Sequence, residues 1–563
     1  MTKLDASQVA DLLLEIGSRA ALEGGNPYKA KAYIRAAESL RTLVTPLGEV
    51  IRRSQLRALP GIGDAIARRI IELRDKGTDE GLERMRAKYP ADLLELLRIP
   101  RLKPAAVVKL HDLGIKNVSE AERAAREGRL RKVKGLGASV ERKIIDGATL
   151  AKGGMRANRA QELLEHAAEA LKWQGIDEIT IAGDLRRGCE LISDLRLVGI
   201  AKSSKKTIRE RLGTVTVDVI PAKKRGSGLL YATGSPQHVE QLEALARTKR
   251  LVLNADGIGK PGGALDGHSE DVIYRTLGLP LIPPELREGD DEINRAIANK
   301  LPRLVEAKDL KGVLHVHTDF SDGAHTLREM AEAARALGYQ YLGVSDHSRS
   351  AHYAGGLSLE KIRRQHDEVH ALNEEFGTTF RILKGIESDI LADGSLDYPD
   401  EILAAFDFVV ASVHSGFRRD KAEQTSRIVN AVSNPFTTIL GHLTGRLLLH
   451  RKGYEVDVEQ VLIACARHGV AVEINCNPYR MELDWRWHRR ALAHGCLLSI
   501  NPDAHSIHEL GLMKWGIAIA RKGGVEKRNV LNAMSVDRFD KYLRQRRTPG
   551  RKRSQRPDCM SLP

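Results

Sequence analysis

The chain is poor in cysteine. Its 563 residues carry five, Cys189, Cys465, Cys476, Cys496 and Cys559, an odd number without CxxC spacing, so a reducing cytoplasm is expected rather than a disulfide framework. Also lacking is any apolar run near the roughly 20 residues that span a bilayer, and the opening MTKLDASQVADLLLEI has no secretory pattern. Acidic residues are in deficit, 74 against 89 Lys and Arg, for a formal charge of +15. That imbalance favours a polyanionic partner, and with no membrane segment the expected one is nucleic acid. The length excludes a single core and points to about three or four domains.

What is present changes texture along the chain. From Ser7 to about Leu150 the pattern is helical, broken by LPGIG at 59–63 and VKGLG at 133–137, each followed by a new helix. Gly61, Gly63, Gly135 and Gly137 allow tight turns that aim backbone N–H groups and a helix N-terminus at an anion, which suits a DNA phosphate. One such corner reads as an ordinary helix–turn–helix; two in a basic chain point to DNA. A third break, RIPRLKPAAVVKL, has Arg101 and Lys103 in place of the glycines. From Asn158 to about Asp309 helix mixes with β-branched runs such as EITIAG and TVTVDVIP, an α+β pattern that ends in a polar, proline-containing stretch read as a linker. Beyond Gly312, about seven apolar runs alternate with amphipathic helical stretches, the pattern of a parallel barrel or a doubly wound sheet. From Lys541 to Arg556 there are eight Lys or Arg and no acid, which reads as a disordered basic arm adding non-specific affinity.

Histidines and carboxylates recur at the carboxyl ends of those last strands. His315 and His317 share one strand face, Asp322 follows in the loop, and His347, Glu387, His414 and His442 end the next strands. Asp503 and His505 repeat the i, i+2 spacing after the last. Strand carboxyl ends converge on one face of an α/β fold, so these nine residues should meet in one cavity. Nine ligands exceed the needs of one ion and suffice for three, and imidazole mixed with carboxylate suits manganese, zinc or iron better than magnesium alone. Clustered divalent ions activate water and clamp a phosphate ester, so phosphoester hydrolysis is the expected reaction. Ser348, Arg349, Ser415 and Arg446 lie beside these motifs as candidate phosphate contacts.

The motifs HVHTDFSDG, SDHS, GIESDILADGSLDY, SVHS, GHLTGR and NPDAHS resemble those of the PHP (polymerase and histidinol phosphatase) domain, a distorted seven-stranded βα barrel. The resemblance implies one metal on His315, His317, Glu387 and Asp503, a second on His414 and His442 with Glu387 bridging, and a third on Asp322, His347 and His505. Glu387, His347 and Asp503 are the expected catalytic core. Val313 stands where relatives often have aspartate, a position that is not a ligand. The front half, through NPYKAKAYIRAAESL, LPGIGDAIARRI, GDLRRG, VDVIP, YATGSPQHVEQLEALA and LGLPLIPPELREG, resembles bacterial family X DNA polymerases fused to such a domain.

Together these resemblances give a multidomain expectation. Residues 1–150 form an all-α helix-hairpin-helix DNA-binding domain, and 151–285 a truncated α+β palm and thumb. A linker at 286–312 leads to the α/β barrel at 313–545, and 546–563 is a basic tail. The polymerase motif survives in part, in Gly183, Asp194, Asp218, Thr233, Gly234 and Ser235. Arg196, however, replaces the second of three metal-binding carboxylates, and a cation beside a dication costs roughly 4 kcal/mol per charge pair at about 4 Å and an effective dielectric of about 20. Asp184 follows Gly183 where serine is usual and should repel a triphosphate, while Ala232 replaces a packing aromatic. Asp194 and Asp218 lie only 24 positions apart, which implies that part of the palm sheet is missing. Arg186, Arg187 and Arg196 are then candidate contacts to the DNA backbone, joined by Arg68 and Arg69. Arg69 aligns with a lyase lysine that it cannot replace, because a guanidinium stays protonated. Lys143 in the later hairpin is not a positional substitute.

The expected activity is metal-dependent hydrolysis at the ends of gapped, nicked or damaged DNA, as a 3′–5′ exonuclease or end-cleaning phosphodiesterase that also cleaves at abasic sites. Polymerisation is lost in this reading. The rival readings are a polymerase with residual gap filling, a small-molecule phosphatase of the histidinol-phosphate type, and a non-catalytic DNA scaffold.

Overall fold

A computed structural model describes residues 4–547 except 5, 25–26, 42–46, 60, 98, 100–101, 153, 174–175, 177, 202–207 and 213–214. Arg101, Pro60 and the tail beyond 547 thus lie outside the described residues. The chain forms two compact units, one of Met1–Gly154 with Leu449–Arg451, the other of Met155–Leu448 with Lys452–Pro563. No helix among the described residues is long and apolar enough to cross a membrane.

The first unit is helical and has two cores. One gathers Leu13, Ile16, Leu40, Ile70 and Leu73, the other Val107, Leu110, Ala121, Ala124 and Ile144. Gly61 (φ +80°) and Gly135 (φ +90°) make the two hairpin turns, a left-handed conformation costly for any residue with a Cβ. Gly63 takes the N-cap of helix Asp64–Lys76 with extended backbone and no side-chain cap. Lys103 caps helix Pro104–Asp112 without glycine, proline filling the first position where no N–H is required. Lys103, Lys109, Lys143 and Gly135 line one cavity of about 260 Å³, so the third break adjoins the second hairpin.

In the second unit β1 (Glu178–Ile181), β2 (Arg196–Ala201), β3 (Ile208–Leu212) and β4 (Val215–Pro221) make a four-stranded sheet in the order β1-β2-β4-β3. β2 and β4 are parallel, with Val198 opposite Asp218, so a four-stranded palm sheet forms across the short Asp194–Asp218 interval. Alternating Val215, Val217 and Val219 bury one face of β4.

Downstream, β5 (Gly312–Val316), β6 (Tyr341–Val344), β7 (Arg381–Asp389), β8 (Phe408–Ser412), β9 (Thr437–Leu440), β10 (Ala471–Asn475) and β11 (Leu498–Asn501) form a parallel sheet in chain order. Most residues of these strands are apolar and buried, as in strands covered on both faces, with the polar ones gathered mainly toward the carboxyl ends. A parallel bridge from Val316 to Ala504 nearly closes the ring, which decides for a barrel over a doubly wound sheet.

Two expectations change here. Of the expected linker, Glu292–Ile297 is a helix with Ile293 and Ala296 buried, and Val305 N–H donates to Val525 O at 2.9 Å, so the stretch is packed, not a spacer. Residues 541–547, expected to belong to a disordered arm, lie in helix Val536–Arg547, where Phe539 and Leu543 are buried against β5, β7 and β8 residues of the barrel.

Palm, thumb and barrel share a polar seam. Arg486 pairs with Glu190 at 3.1 Å, Arg489 with Asp291 at 2.6 Å and Arg521 with Glu285 at 2.6 Å. At its centre Lys522, with a side chain only 1% exposed, pairs with Glu288 and donates to Arg187 O at 3.2 Å. Truncating one partner of a buried ion pair strands the other charge, so Lys522→Ala should cost about 3 kcal/mol, the low end for such a break because Arg187 still neutralises Glu288. All four tryptophans, Trp173, Trp485, Trp487 and Trp515, lie in this unit, so the urea midpoint of their emission reads the loss directly. An unchanged midpoint would show that the seam carries no stability.

Candidate metal centre

The nine ligand-type residues converge at the carboxyl ends of the barrel strands. Glu387, 1% exposed, stands at the centre, with His442 Nε2 at 3.0 Å, His315 Nε2 at 3.2 Å and His414 Nε2 at 3.3 Å from its Oε1. His347 Nδ1 lies 3.0 Å from its Oε2. Asp503 Oδ1 is 3.3 Å from His317 Nε2 and 3.4 Å from His315 Nε2. Asp322 faces His505 at 3.4 Å and His347 at 3.7 Å. Donor atoms within 4.8 Å of one another fall into four sets: His317, Asp322, His347 and His505; His315, His317 and Asp503; His315, Glu387 and His442; and His347, Glu387 and His414. These sets also bring His347 beside Glu387 and His317 beside Asp322.

Backbone placement explains the convergence. The HVH alternation puts His315 and His317 on one strand face, and His315 then takes φ +60° while Asp503 takes φ +53°. Left-handed backbone at non-glycine residues costs about 1–3 kcal/mol each and persists only where the surroundings impose it. Here Glu473 Oε1 accepts from His315 Nδ1 at 2.5 Å, and Asn475 Nδ2 donates to Asp503 Oδ2 at 3.0 Å.

Glu473 is a residue the sequence reading missed. Fully buried on β10, it also accepts from His442 N–H at 2.7 Å and Asn501 Nδ2 at 2.9 Å. Burial opposes its charge, but His315 outweighs that and holds its carboxyl below the usual range. Asp389 likewise accepts from His414 Nδ1 at 2.6 Å. Buried Asp346 takes Thr318 N–H and Oγ1, Ser321 Oγ and Gln365 Nε2, which fixes the loop carrying Asp322. A lone acid in the apolar run VAVEIN, and an acid two residues after Glu387, are the signals that would have found Glu473 and Asp389. Glu473→Ala should weaken metal affinity and activity about 10–100-fold, as loss of a partner that orients a ligand histidine does. Metal titration of hydrolysis measures it, and an unaltered titration would make Glu473 a packing residue.

The donor set fits divalent cations. Buried His315 Nε2, His347 Nδ1 and both nitrogens of His317 have no hydrogen-bond partner, an expensive state for polar atoms unless a cation takes their lone pairs. Burial together with neighbouring His347 and His505 pushes His317 well below its ordinary value, so it is a neutral imidazole. Burial would raise Glu387, yet His414, His315 and His347 hold its carboxyl well below the usual range.

Of the expected phosphate contacts, Arg446 is withdrawn, because it holds the 480–484 loop through Arg480 O at 2.9 Å and Asp484 at 2.8 Å. Ser348 is buried and accepts from Asp389 N–H. Arg349 lies over the Tyr398 ring, and Ser415 O accepts from Arg427. The guanidinium that faces the cluster is Arg480, 3.7 Å from Asp503 and 3.8 Å from Glu482.

The palm differs from expectation in detail. Asp184 does not face outward: its Oδ2 accepts from Ser193 N–H and Oγ, both at 2.7 Å, and from Asp194 N–H, while Arg187 takes Oδ1 at 2.6 Å. Gly183 (φ +64°) is required there, since a Cβ would lie 2.8 Å from Asp194 O. Arg186 is paired with Glu270 at 2.6 Å and Thr233 Oγ1 at 2.8 Å, and Arg187 with Glu288 at 2.9 Å and Thr233 O at 2.7 Å. Both are therefore corrected from DNA contacts to internal struts. Ser235 caps the helix after Gly234. Arg196 Nε sits 3.5 Å from Asp194 and 3.8 Å from Asp218, whose other oxygen meets Arg209 at 2.5 Å. In the first unit Arg69 is spent on Asp79, at 2.5 and 2.6 Å, and on Tyr33, a second correction, whereas Arg68 stays exposed.

Comparison with known proteins accords with this layout. Family models match a helix-hairpin-helix domain at 5–79, a SAM-like helix-hairpin-helix tandem at 93–149, a DNA polymerase beta thumb at 228–288 and a PHP domain at 314–477. The DNA polymerase/3′-5′ exonuclease PolX of Bacillus subtilis is 34% identical over 93% of this chain and 96% of its own length. Probable phosphatases of Thermoanaerobacter sp. and Vibrio parahaemolyticus, 28% and 31% identical, match 42% of this chain and 97% and 94% of their own lengths. With one relative aligned almost end to end and hairpin, thumb and PHP models matching in turn along it, the chain belongs to the PolX family with a C-terminal PHP domain.

Proposed function

We propose that this PolX-family chain is a divalent-metal-dependent nuclease that trims DNA 3′ ends in the 3′–5′ direction and cleaves at abasic sites, and that its palm has given up nucleotide addition to serve DNA binding. The observation that carries the hydrolytic reading is the buried meeting of nine imidazole and carboxylate ligands around Glu387. Three ions, manganese, zinc or iron, suit that donor set. Bound there, such ions supply an acidic water and positive charge beside the attacking and leaving oxygens. The chain's own part is orientation: Glu473 and Asp389 fix the tautomers and planes of His315 and His414, and Asp346 holds the Asp322 loop. Arg480 brings a cation to the cavity wall, where a phosphate oxygen can take it in exchange for its long contacts to Asp503 and Glu482.

The relative named a polymerase and 3′-5′ exonuclease supports DNA as substrate and the end polarity. The relatives named probable phosphatases match less than half the chain, and a small-molecule substrate leaves the hairpin modules and thumb without a use. The test is manganese-dependent release of mononucleotides from gapped, nicked and 3′-phosphorylated duplexes in the absence of nucleotides. Release from the 3′ end is expected. Hydrolysis of free phosphomonoesters with no attack on any duplex would overturn the reading.

A further inference from the structure

Loop 348–357 leaves the cluster and returns to it. Ser348 N–H donates to Glu387 O at 3.0 Å and Leu357 N–H to His347 O at 2.9 Å, so both ends are tied to ligand residues. Lys361 Nζ donates to Gly355 O at 3.0 Å. Gly356 packs so closely that a Cβ would overlap Ser348 O. A loop pinned this firmly nevertheless leaves one large ring in solvent: Tyr353, 72% exposed. The ring is not remote from the chemistry. Its centroid lies 6.0 Å from that of His347 and 6.4 Å from that of His414, and its plane is steeply inclined to both. Arg480 borders the same cluster, 3.7 Å from Asp503. The exposed ring of Tyr479, by contrast, has the Arg156 guanidinium over it at 3.7 Å.

We infer that Tyr353 is the specificity-determining platform of the hydrolytic site, stacking on the nucleobase of the nucleotide whose phosphodiester is held between the histidine cluster and Arg480. The inference rests on the nuclease reading above and deepens it. A rigidly presented aromatic face beside a phosphate site suits a planar ring one nucleoside away, and stacking of this kind is tolerant of base identity. It therefore favours ends that carry a base over ends without one, and it requires the terminal base to leave its pair. Stacking formed equally in the ground state and transition state appears in KM rather than kcat.

The experiment uses the full chain with manganese and two gapped duplexes, one ending in a normal 3′ nucleotide and one in a 3′ tetrahydrofuran residue that lacks the base. Tyr353→Ala should lower kcat/KM on the normal end about tenfold, mostly through KM, and leave the base-free end within about twofold of the parent. Tyr353→Phe and Tyr353→Trp should keep the parent's preference. An equal loss on both ends, or no loss on the normal end, would overturn the platform while leaving the nuclease reading standing. A parent protein inactive on both ends would overturn the nuclease reading, and the platform with it.

Discussion

Glu387→Ala is expected to lower metal-dependent hydrolysis by at least roughly a thousandfold in kcat/KM, about 4 kcal/mol of barrier, with little change in DNA affinity. Four imidazole nitrogens lie within 3.3 Å of its two oxygens, and it belongs to two of the four candidate donor sets. No other residue in the cluster touches so many. Its removal leaves His315, His347, His414 and His442 without their shared anion, so bound metal should fall as well. Glu387→Gln keeps the shape and loses the charge, separating ligation from packing: it should resemble alanine in metal content and the parent in thermal midpoint. Elemental analysis of dialysed protein, anisotropy with a labelled gapped duplex and timed nucleotide release give the three readings. Hydrolysis within tenfold of the parent would remove Glu387 from the centre of the mechanism.

Template-directed extension is expected to be undetectable even when the barrel cannot erase its products, as in a Glu387→Ala, His347→Ala background. The reason is Arg196. Its guanidinium stands between Asp194 and Asp218, where it neutralises both without a geometric hydrogen bond from Nε, and Arg209 closes on the far oxygen of Asp218. Burial raises Asp194 above the ordinary range despite Arg196, which further weakens it as a metal ligand. Arg196→Asp in that background should create a third carboxylate and a manganese-dependent rise in thermal midpoint, yet no efficient extension, because Ala232 still offers no aromatic surface and Arg209 still holds Asp218. Asp184 is not part of this argument, since its carboxylate is satisfied inside the loop. Primer extension across a one-nucleotide gap decides the matter. Robust extension with Arg196 intact would overturn the loss of polymerisation, and efficient extension in the Arg196→Asp protein would trace the loss to one residue.

Strand-end spacing was enough to bring the nine ligand-type residues together on paper, because a parallel barrel leaves its strand ends no other place to point. What escaped was whatever depends on distance across the sheet. Glu473 lies 158 positions from His315 along the chain, and only the closure of β5 and β11 beside β10 makes them neighbours. Distance along the chain also hid the partners of Arg186 and Arg187. A basic pair after a glycine turn looks like a phosphate grip until Glu270 and Glu288, 84 and 101 positions away, are seen to occupy it, while Arg69 is taken by Asp79 only 10 positions on. The hairpin glycines were legible because a tight turn and the helix behind it are local events. The connection at 286–312 reads as polar because its composition conceals Ile293 and Ala296, which bury in the thumb cluster with residues such as Leu242, Tyr274 and Ile282.

At the seam, a Cβ at Gly188 in the palm would come within 3.0 Å of Ala518 O on a barrel helix, and buried Lys522 reaches from that helix into the palm loop. A palm without nucleotide addition, as proposed above, would ordinarily drift and then be discarded. Here loss of palm, thumb and connection would uncover Lys522 and remove Glu190, Glu285 and Asp291 from Arg486, Arg521 and Arg489, so on that proposal selection for hydrolysis is enough to preserve the outline. On that proposal the palm is masonry as well as a DNA platform, and sequence change in it should be freest around the Asp194 pocket and most restricted along the face turned to the barrel.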